Sequence, residues 1–423
     1  MRTLSVFLEM QGEQKHVGDI KGNSFIDARF CYAEDYLATE YARPISISLP
    51  LSEDAYSPAQ TKNFFEGLLP EGFSRRALAS WIKADENDYL SILSCLGREC
   101  IGSIRIIENA VDEKSEYELL SMERVCELAA EGATKSTEIL LDTHLSLAGA
   151  SGKVGLYYDE PNASWYLPRG LAPSTHIVKQ SHVRLSHLVL NEQLCMLTAG
   201  FSSIDVPESF IINTGSGTDS EILYATKRYD RTFRKSRLVS GLPVPERLHQ
   251  EDFAQALGIP SEAKYEHEKQ HYLKRIFELI RAYTTNPIDE QIKMWKMLVF
   301  HFLIGNADGH IKNFSLFYSD DLRRITLAPA YDIVCTELYH LSDTMSLYIG
   351  NEVHMQKMNR SSFAAAAAEA GLTERIAMKI FDETADHFEK ALTEAAGKMT
   401  AAGYKDAEKL KNEILKCGGY GRI

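Results

Sequence analysis

The first ten residues alternate between apolar and polar side chains, with Leu4, Val6 and Leu8 on one side. A period of two predicts a strand with one buried face. The segment ISISLP, residues 45–50, predicts a further strand that ends at its proline. Helical spacing follows further along the chain, and this mixture predicts a small α/β subdomain over residues 1–108.

The spacing of apolar residues changes twice after residue 108. Short β-type segments prevail over residues 109–235, around one helix with the sequence LSHLVLNEQLCMLTAGF. Helical periodicity prevails over residues 236–423, in segments such as KQHYLKRIFELIRAYT and QIKMWKMLVFHFLIG. We therefore expect an α+β fold of two lobes, in which a β-rich N-terminal lobe carries the extra small α/β subdomain and the C-terminal lobe is all-helical.

Length, cysteine content, hydropathy and net charge limit the possible classes of protein and its cellular location. The chain has 423 residues, which is too long for a single hydrophobic core. Its seven cysteines are scattered and lack the spacing of a disulfide framework or a zinc site, so we expect a reducing, cytoplasmic location. We expect no membrane contact, because the longest apolar tract is too short and interrupted to span a bilayer. The net charge of −13 argues against a broad nucleic-acid-binding face, although a local basic patch or a basic partner stays open.

A Gly-Lys pair within SLAGASGKVGL, residues 146–156, suggests a phosphate-binding loop. The Walker A pattern requires a glycine where the chain has Leu147 and a hydroxyl where it has Val154, and the kinase pattern GxGxxG is also absent. What remains is a run of small residues, whose backbone N–H groups can approach phosphate, and a positive charge. A simple hairpin turn would have the same composition, so the loop alone decides nothing. The candidate phosphate-binding residues are Ala148, Gly149, Ala150, Ser151, Gly152 and Lys153.

A second stretch, IGNADGHIKNFS at residues 304–315, carries a stronger signal. Asp308 precedes Asn313 by five residues, which is the spacing of the kinase catalytic loop. In that loop the aspartate accepts the proton of the attacking hydroxyl, and the asparagine directs its amide oxygen to a metal ion on the phosphates. Asp332 lies in the apolar segment LAPAYDIV and is the candidate for the second Mg²⁺ ligand, because a carboxylate in such a setting needs a partner.

Upstream residues occur in the order of a protein kinase. HIVKQ resembles the kinase sequence V-A-I-K, so Lys179 is the candidate contact for the α- and β-phosphates, with Glu192 on the next helix as its partner. TKRYDR ends a predicted strand where an adenine-binding hinge would lie, which makes Lys227, Arg228 and Tyr229 candidates for nucleotide contact. Each residue alone is also explained as a turn, helix-cap or solvent-exposed residue. Their joint order favours a protein-kinase-like fold.

With these residues in place, the chain resembles the HipA-type serine/threonine kinases, the toxin half of bacterial type II toxin–antitoxin pairs. The resemblance implies ATP and Mg²⁺ as cofactors. It also implies that the leading loop serine, Ser146, can be autophosphorylated and that this modification disables ATP binding, since a phosphoserine of charge about −2 is repelled from a site for anionic phosphates. His310 and Lys312 are further candidates, for stabilising charge on the transferred phosphoryl group. Lys227 stands where the family often has Glu. The segments that carry the resemblance are FFEGLLPEG, LGRECIGSIRI, SLAGASGK, HIVK, NE at residues 191–192, KRYDR, LHQEDFAQALGIPSEAKYE, IGNADGHIKNFS and APAYDIV.

The resemblance also implies partners. These are a protein substrate with a serine or threonine acceptor, tied to translation as an aminoacyl-tRNA synthetase is, and a small HipB-like helix-turn-helix antitoxin. Operator DNA would be contacted only indirectly through the antitoxin, which agrees with the acidic charge. Two alternatives stay open: a kinase-fold binding module with weak catalysis, and a small-molecule kinase of related fold. The complete set of Asp308, Asn313 and Asp332 argues against the first, and the N-terminal hundred residues argue against the second.

Overall fold

The computed structural model describes residues 1–108, 114–129, 153–180, 185–234 and 237–423. Two compact units make up the chain, and each is built from three separate stretches of sequence. The first unit comprises Met1–His182, Ala225–Ser261 and Phe317–Arg324, and the second comprises Val183–Tyr224, Glu262–Leu316 and Ile325–Ile423.

Residues 1–108 form a four-stranded antiparallel sheet with helices, as the sequence predicts. Leu4, Val6 and Leu8 are all fully buried, so the period-two pattern of the first strand is confirmed. The elements are β1 (Arg2–Met10), β2 (Glu13–Gly22), β3 (Arg29–Tyr32), α1 (Glu34–Leu37), α2 (Pro58–Phe65), α3 (Gly72–Trp81), α4 (Tyr89–Leu96) and β4 (Ile104–Ile107). The strand order is β3-β2-β1-β4.

The strand predicted for residues 45–50 is wrong. This segment forms turns with one isolated bridge between Ser46 and Leu49. Its backbone finds other partners: the Ile45 N–H donates to the Tyr32 hydroxyl at 2.9 Å, and the Ile47 N–H donates to a carboxylate oxygen of Glu251 at 3.1 Å. Because side chains that are distant in sequence satisfy these groups, no neighbouring strand is needed.

The middle of the first unit is a second antiparallel sheet. Its strands confirm the β-type patterns directly after the predicted phosphate loop and at HIVKQ, whereas the strand predicted before that loop lies outside the described residues. The elements are β5 (Glu116–Leu120), α5 (Met122–Ala129), β6 (Lys153–Asp159), β7 (Ser164–Arg169) and β8 (His176–Gln180), and within this unit the strand order begins β5-β7-β6-β8.

Residues 185–261 contain the predicted helix and the strands that precede the candidate hinge. The boundary between the two units falls within one of these strands, β10. The elements are α6 (Leu188–Phe201), β9 (Ser209–Asn213), β10 (Ile222–Lys227), β11 (Arg231–Thr232), β12 (Leu238–Val239), β13 (Leu242–Pro243), β14 (Glu246–Arg247), β15 (Gln250–Asp252) and α7 (Phe253–Leu257).

The remainder of the chain is mostly helical, as predicted, but it also carries short strands and is therefore not purely helical. Its elements are α8 (Tyr272–Tyr283), α9 (Pro287–Ile304), β16 (Ser315–Tyr318), β17 (Ile325–Leu327), β18 (Thr344–Ile349), β19 (Glu352–His354), α10 (Arg360–Ala366), α11 (Glu374–Ala401) and α12 (Asp406–Cys417). Within the second unit α11 packs against α6, α9 and α12. In the described part of the chain, no helix combines the length and hydropathy required to cross a bilayer.

A buried cluster of ion pairs links distant stretches of the first unit. The Glu99 carboxylate contacts Arg228 at 3.2 Å, Arg231 at 2.8 Å and Arg247 at 2.6 Å. Asp230 contacts Arg228 at 2.8 Å and Arg231 at 3.0 Å. Burial alone would raise the pKa of Glu99, but the three guanidinium groups hold that pKa below its usual range. The cluster fixes the segment after β10 against the one between α4 and β4.

We predict that Glu99→Gln lowers the free energy of unfolding by about 3–5 kcal/mol, because three buried guanidinium groups lose their shared counter-charge. Urea denaturation of the whole chain measures the loss. The matched control is Glu118→Gln, since Glu118 pairs with Arg169 on the surface, where such a pair contributes about 0–1 kcal/mol. Equal losses in the two variants would contradict a structural role for the buried cluster.

Candidate functional site

The loop that follows α9 begins at a sharp helix end. Gly305 adopts a φ of +78°, the left-handed conformation that glycine tolerates best. A Cβ atom there would lie 3.1 Å from the Cys335 Sγ and equally close to the Gly418 Cα. The Gly305 carbonyl oxygen accepts the Thr336 N–H at 3.0 Å. The end of the helix is thus fixed against the segment that follows Asp332.

Asn306 sets the conformation that leads to Asp308. Its N–H donates to the His301 carbonyl oxygen at 2.9 Å, its Nδ2 lies 3.0 Å from the His301 Nδ1, and its Oδ1 accepts the Asp308 N–H at 3.0 Å. Burial lowers the pKa of His301 to about 4, so its ring is neutral near pH 7 and can accept from the amide. Asn306 and His301 are buried, whereas Asp308 is exposed. The exposed carboxylate of Asp308 therefore projects from a main-chain segment that buried hydrogen bonds hold in place.

Asn313 folds back on the same loop. Its Nδ2 donates to the Asp308 carbonyl oxygen at 2.9 Å, and its N–H donates to the His310 carbonyl oxygen at 2.8 Å. Because Nδ2 is committed to this bond, Oδ1 is the side-chain atom that remains for a cation. His310 and Lys312 are both nearly buried in this loop. The five-residue spacing recognised in the sequence thus corresponds to a direct contact between Asn313 and the main chain of Asp308.

Tyr331 ties the segment of Asp332 to this loop. Its hydroxyl donates to the Lys312 carbonyl oxygen at 3.0 Å and contacts the Ser315 Oγ at 2.6 Å. These bonds join the residue before Asp332 to residues on either side of Asn313, so the two candidate metal ligands lie in one cluster of loops. Asp332 itself has a φ of +58°, a conformation that is rare for residues other than glycine and recurs at functional sites.

Asn191 contributes to the site, although the sequence analysis assigned it no role. This residue of α6 is fully buried, and its amide brackets the backbone of Cys335: Nδ2 donates to the carbonyl oxygen and Oδ1 accepts the N–H, each at 3.0 Å. The signal that could have revealed it was an asparagine within the apolar helix segment LVLNEQL, since a buried amide needs partners. Asn191 therefore anchors the chain three residues after Asp332.

In the first unit, Lys153 and Lys179 are directly opposed across the pair β6–β8. Lys179 is only 9% exposed. Two lysines predicted from separate motifs to contact phosphate thus lie side by side on one sheet.

The segment predicted as a hinge is held largely by protein contacts. The Lys227 Nζ lies 2.8 Å from a carboxylate oxygen of Glu160. Arg228 places its guanidinium in the buried ion cluster, and its N–H donates to the Thr175 carbonyl oxygen at 2.8 Å. Tyr229 is half-buried. Main-chain groups other than the Arg228 N–H are therefore the better candidates for nucleotide contact in this segment.

Part of the predicted phosphate loop lies outside the described residues, namely Ser146, Ala148, Gly149, Ala150, Ser151 and Gly152. Glu192 is a buried residue of α6 in the second unit, whereas Lys179 belongs to the first unit.

The residues present fit a Mg²⁺ ion that is shared with a nucleotide. Within the described ranges, no three His, Cys, Asp or Glu side chains are grouped closely enough to hold a metal by themselves. Asn313 and Asp332 supply an amide oxygen and a carboxylate, which are hard ligands of the kind Mg²⁺ prefers. Mg²⁺ commonly keeps water and substrate phosphates as its other ligands, so two protein ligands suffice.

Family models match most of the chain. A model described as the HipA-like C-terminal domain matches residues 145–392, and one described as the HipA N-terminal domain matches residues 8–107. Y4mE of Sinorhizobium fredii, named as a candidate kinase, is 31% identical over 394 residues, which is 90% of each chain. The serine/threonine-protein kinase toxin HipA of Shewanella oneidensis is 25% identical over 403 residues, which is 90% of this chain and 88% of that protein.

A solved structure is similar over almost the full length. It contains the HipA and HipB proteins of Shewanella oneidensis MR-1 with their operator DNA. The match has a TM-score of 0.79 and 22% sequence identity, and it covers 99% of this chain and 97% of the other. At that identity the similarity establishes the fold, and it confirms the α+β architecture expected from the sequence.

We predict that Asn191→Leu lowers the free energy of unfolding by about 2–4 kcal/mol, because both backbone groups of Cys335 lose their buried partner. Urea denaturation measures the change. The control on the same helix is Thr198→Val, which removes a hydroxyl that bonds to the Leu194 carbonyl oxygen and is expected to cost less than about 1 kcal/mol. Equal losses of unfolding free energy in the two variants would contradict a special role for the two Asn191 bonds to Cys335.

Proposed function

The chain belongs to the HipA family, and from that premise we propose that it is an ATP- and Mg²⁺-dependent serine/threonine protein kinase that acts as the toxin of a type II toxin–antitoxin pair. The observation that carries the proposal is the bonding of Tyr331 to the main chain of Lys312 and to Ser315, which joins the Asp332 segment to the loop of Asp308 and Asn313. Phosphoryl transfer requires these residue types side by side.

In the proposed reaction, Asp308 orients the acceptor hydroxyl and receives its proton as the hydroxyl oxygen bonds to the γ-phosphorus. The bond between the γ-phosphorus and the β–γ bridging oxygen breaks, and ADP leaves. Its exposed carboxylate suits an acceptor side chain presented by another protein. Asn313 and Asp332 would hold Mg²⁺, which supplies positive charge to the phosphates. His310 and Lys312 would offset charge on the transferred group from positions fixed by burial in the same loop.

We assign phosphate contacts in the first unit to Lys153 and Lys179, because two motifs that the sequence relates to phosphate place these lysines at opposed positions of one strand pair. The small residues 148–152 would add backbone N–H groups, and Glu192 would have the role of the kinase glutamate, as the resemblance implies. The adenine contact would come from the main chain of residues 227–229.

The family also supplies the proposed regulation and partners. Ser146 would be autophosphorylated, which would disfavour ATP through the repulsion of two anionic groups. A HipB-like antitoxin would bind this chain and carry the operator contacts, by analogy with the Shewanella oneidensis complex of HipA, HipB and operator DNA. The substrate would be a protein with a serine or threonine acceptor, linked to translation, and the place of action would be the cytoplasm.

We predict that Asp308→Ala and Asp332→Ala each reduce incorporation of ³²P from γ-labelled ATP into protein by at least about 10²-fold, because one removes the base and the other a metal ligand. Asp386→Ala, which removes an exposed carboxylate of α11, serves as the control and should retain activity. Phosphoproteomics after expression of the wild type and of Asp332→Ala would identify the acceptor. Turnover of small alcohols without protein phosphorylation would instead indicate a small-molecule kinase.

We predict that the chain alone binds operator DNA weakly, with no steep dependence on salt, because its net charge is −13. Fluorescence anisotropy between about 50 and 200 mM salt, with and without the antitoxin, measures this. The complex should bind at least about 10²-fold more tightly than the chain alone. Tight and steeply salt-dependent binding by the isolated chain would contradict an indirect role on DNA.

A further inference from the structure

Tyr265 lies directly against the candidate catalytic carboxylate. Its hydroxyl is 2.7 Å from the Asp308 Oδ1. Asp308 is exposed and accepts hydrogen bonds when ionised, so the phenol is the donor in this contact. Tyr265 precedes α8 by seven residues and comes from a different part of the chain than the loop it touches. A base that only accepts a proton does not require a hydrogen-bond donor on its carboxylate, so this contact needs a separate explanation.

The ring of Tyr265 is held on two sides. The imidazole of His310 packs edge-on against it, with ring centroids 5.1 Å apart and an interplanar angle of 80°. The Lys264 Nζ lies 5.2 Å from the ring centroid. The phenol therefore contacts two candidate residues of the loop, Asp308 through its hydroxyl and His310 through its ring.

The main chain beside Tyr265 is fixed by the next residue. Glu266 is buried, its N–H donates to the Ser346 carbonyl oxygen at 2.9 Å, and its carboxylate accepts the N–H groups of Tyr348 at 2.9 Å and Tyr272 at 3.1 Å. Because the Glu266 carboxylate accepts two backbone N–H groups, one on each oxygen, these bonds hold the chain around Glu266 in place. Tyr265 consequently projects from an anchored position and not from a loose loop.

Strand β18, which contains Ser346, also contacts the loop of Asp308. The Ser346 hydroxyl donates to the Ala307 carbonyl oxygen at 2.7 Å, directly before Asp308. Ser346 of β18 is thus bonded to Glu266 on one side and to Ala307 on the other. This shared support sets the distance between the Tyr265 hydroxyl and the Asp308 carboxylate.

We infer that Tyr265 is a positioning residue for Asp308, an inference that rests on the proposed function. Its hydroxyl donates to Oδ1 and so fixes the rotation of the carboxylate that receives the proton of the acceptor hydroxyl. Tyr265 makes and breaks no bond in the reaction. Preorganisation of this kind raises the rate of the chemical step while it leaves nucleotide binding unchanged.

The first test compares Tyr265→Phe with the wild type by the rate of ³²P incorporation from γ-labelled ATP at varied ATP concentrations. We expect the maximal rate to fall about ten- to hundredfold, which is the effect of one hydrogen bond to a charged group, and the half-saturating ATP concentration to change by less than about twofold. Tyr283→Phe is the matched control, since Tyr283 is an exposed tyrosine of α8. An unchanged maximal rate in Tyr265→Phe would overturn the inference.

A double-mutant cycle separates positioning from general support of the fold. If Tyr265 acts through Asp308, Tyr265→Phe has no further effect on the residual rate of Asp308→Asn. A purely structural role would instead give the same proportional loss in both backgrounds, and that result would overturn the inference. Should wild type and Asp308→Ala incorporate equally little phosphate, the proposed function is the part that fails.

The contact can also be tested without turnover. Labelling with ¹³C at Cζ gives signals from the 20 tyrosines, and the signal of Tyr265 is identified by its loss in Tyr265→Phe. We expect that signal to shift in Asp308→Asn, because the phenol then donates to an amide oxygen and no longer to a carboxylate, whereas it stays in place in the control Asp386→Asn. If the Tyr265 signal were the same in Asp308→Asn and in the wild type, the inference would be overturned, whether or not the protein shows kinase activity.

Discussion

The candidate site depends on one constraint, which is that the main-chain polar groups of a nearly buried loop need partners inside the protein. Asn306 accepts the Asp308 N–H, Asn313 donates to the Asp308 carbonyl oxygen, and the Ser346 hydroxyl donates to the Ala307 carbonyl oxygen. Each unmade bond of this kind would cost about 1–3 kcal/mol, so the loop has little freedom to adopt another conformation. The loop presents the exposed carboxylate of Asp308, which the Tyr265 hydroxyl contacts, as its candidate catalytic group.

Charges are arranged differently in the first unit. In the buried cluster every guanidinium faces a carboxylate, and the cluster acts as a structural link between segments that are more than a hundred residues apart. Lys153 and Lys179 instead place two like charges at opposed positions of the strand pair β6–β8. Arg228 belongs to the buried cluster, where its guanidinium supports the fold of the unit.

Several elements could be predicted from the sequence because their signal is local. The alternation of the first strand and the helical spacing of α9 depend only on neighbouring residues, and both predictions are confirmed. The strand predicted at residues 45–50 is wrong because Tyr32 and Glu251 satisfy its backbone from elsewhere. The short strands among the C-terminal helices were missed for a related reason, since residues 352–354 form a strand only through pairing with β18.

The sequence by itself determined which chemical groups are available: the five-residue step from Asp308 to Asn313, the isolated Asp332, and lysines in the order of a kinase. Residue type and spacing within a short loop are sufficient for that, because the chemistry belongs to the side chains. Only the tertiary structure decided which atoms remain available. It committed Nδ2 of Asn313 to the main chain and directed the hydroxyl of Tyr265 to Asp308 from a distant segment. Such contacts join residues that are far apart in the chain, and no local pattern encodes a distance that is set by the packing of the whole unit.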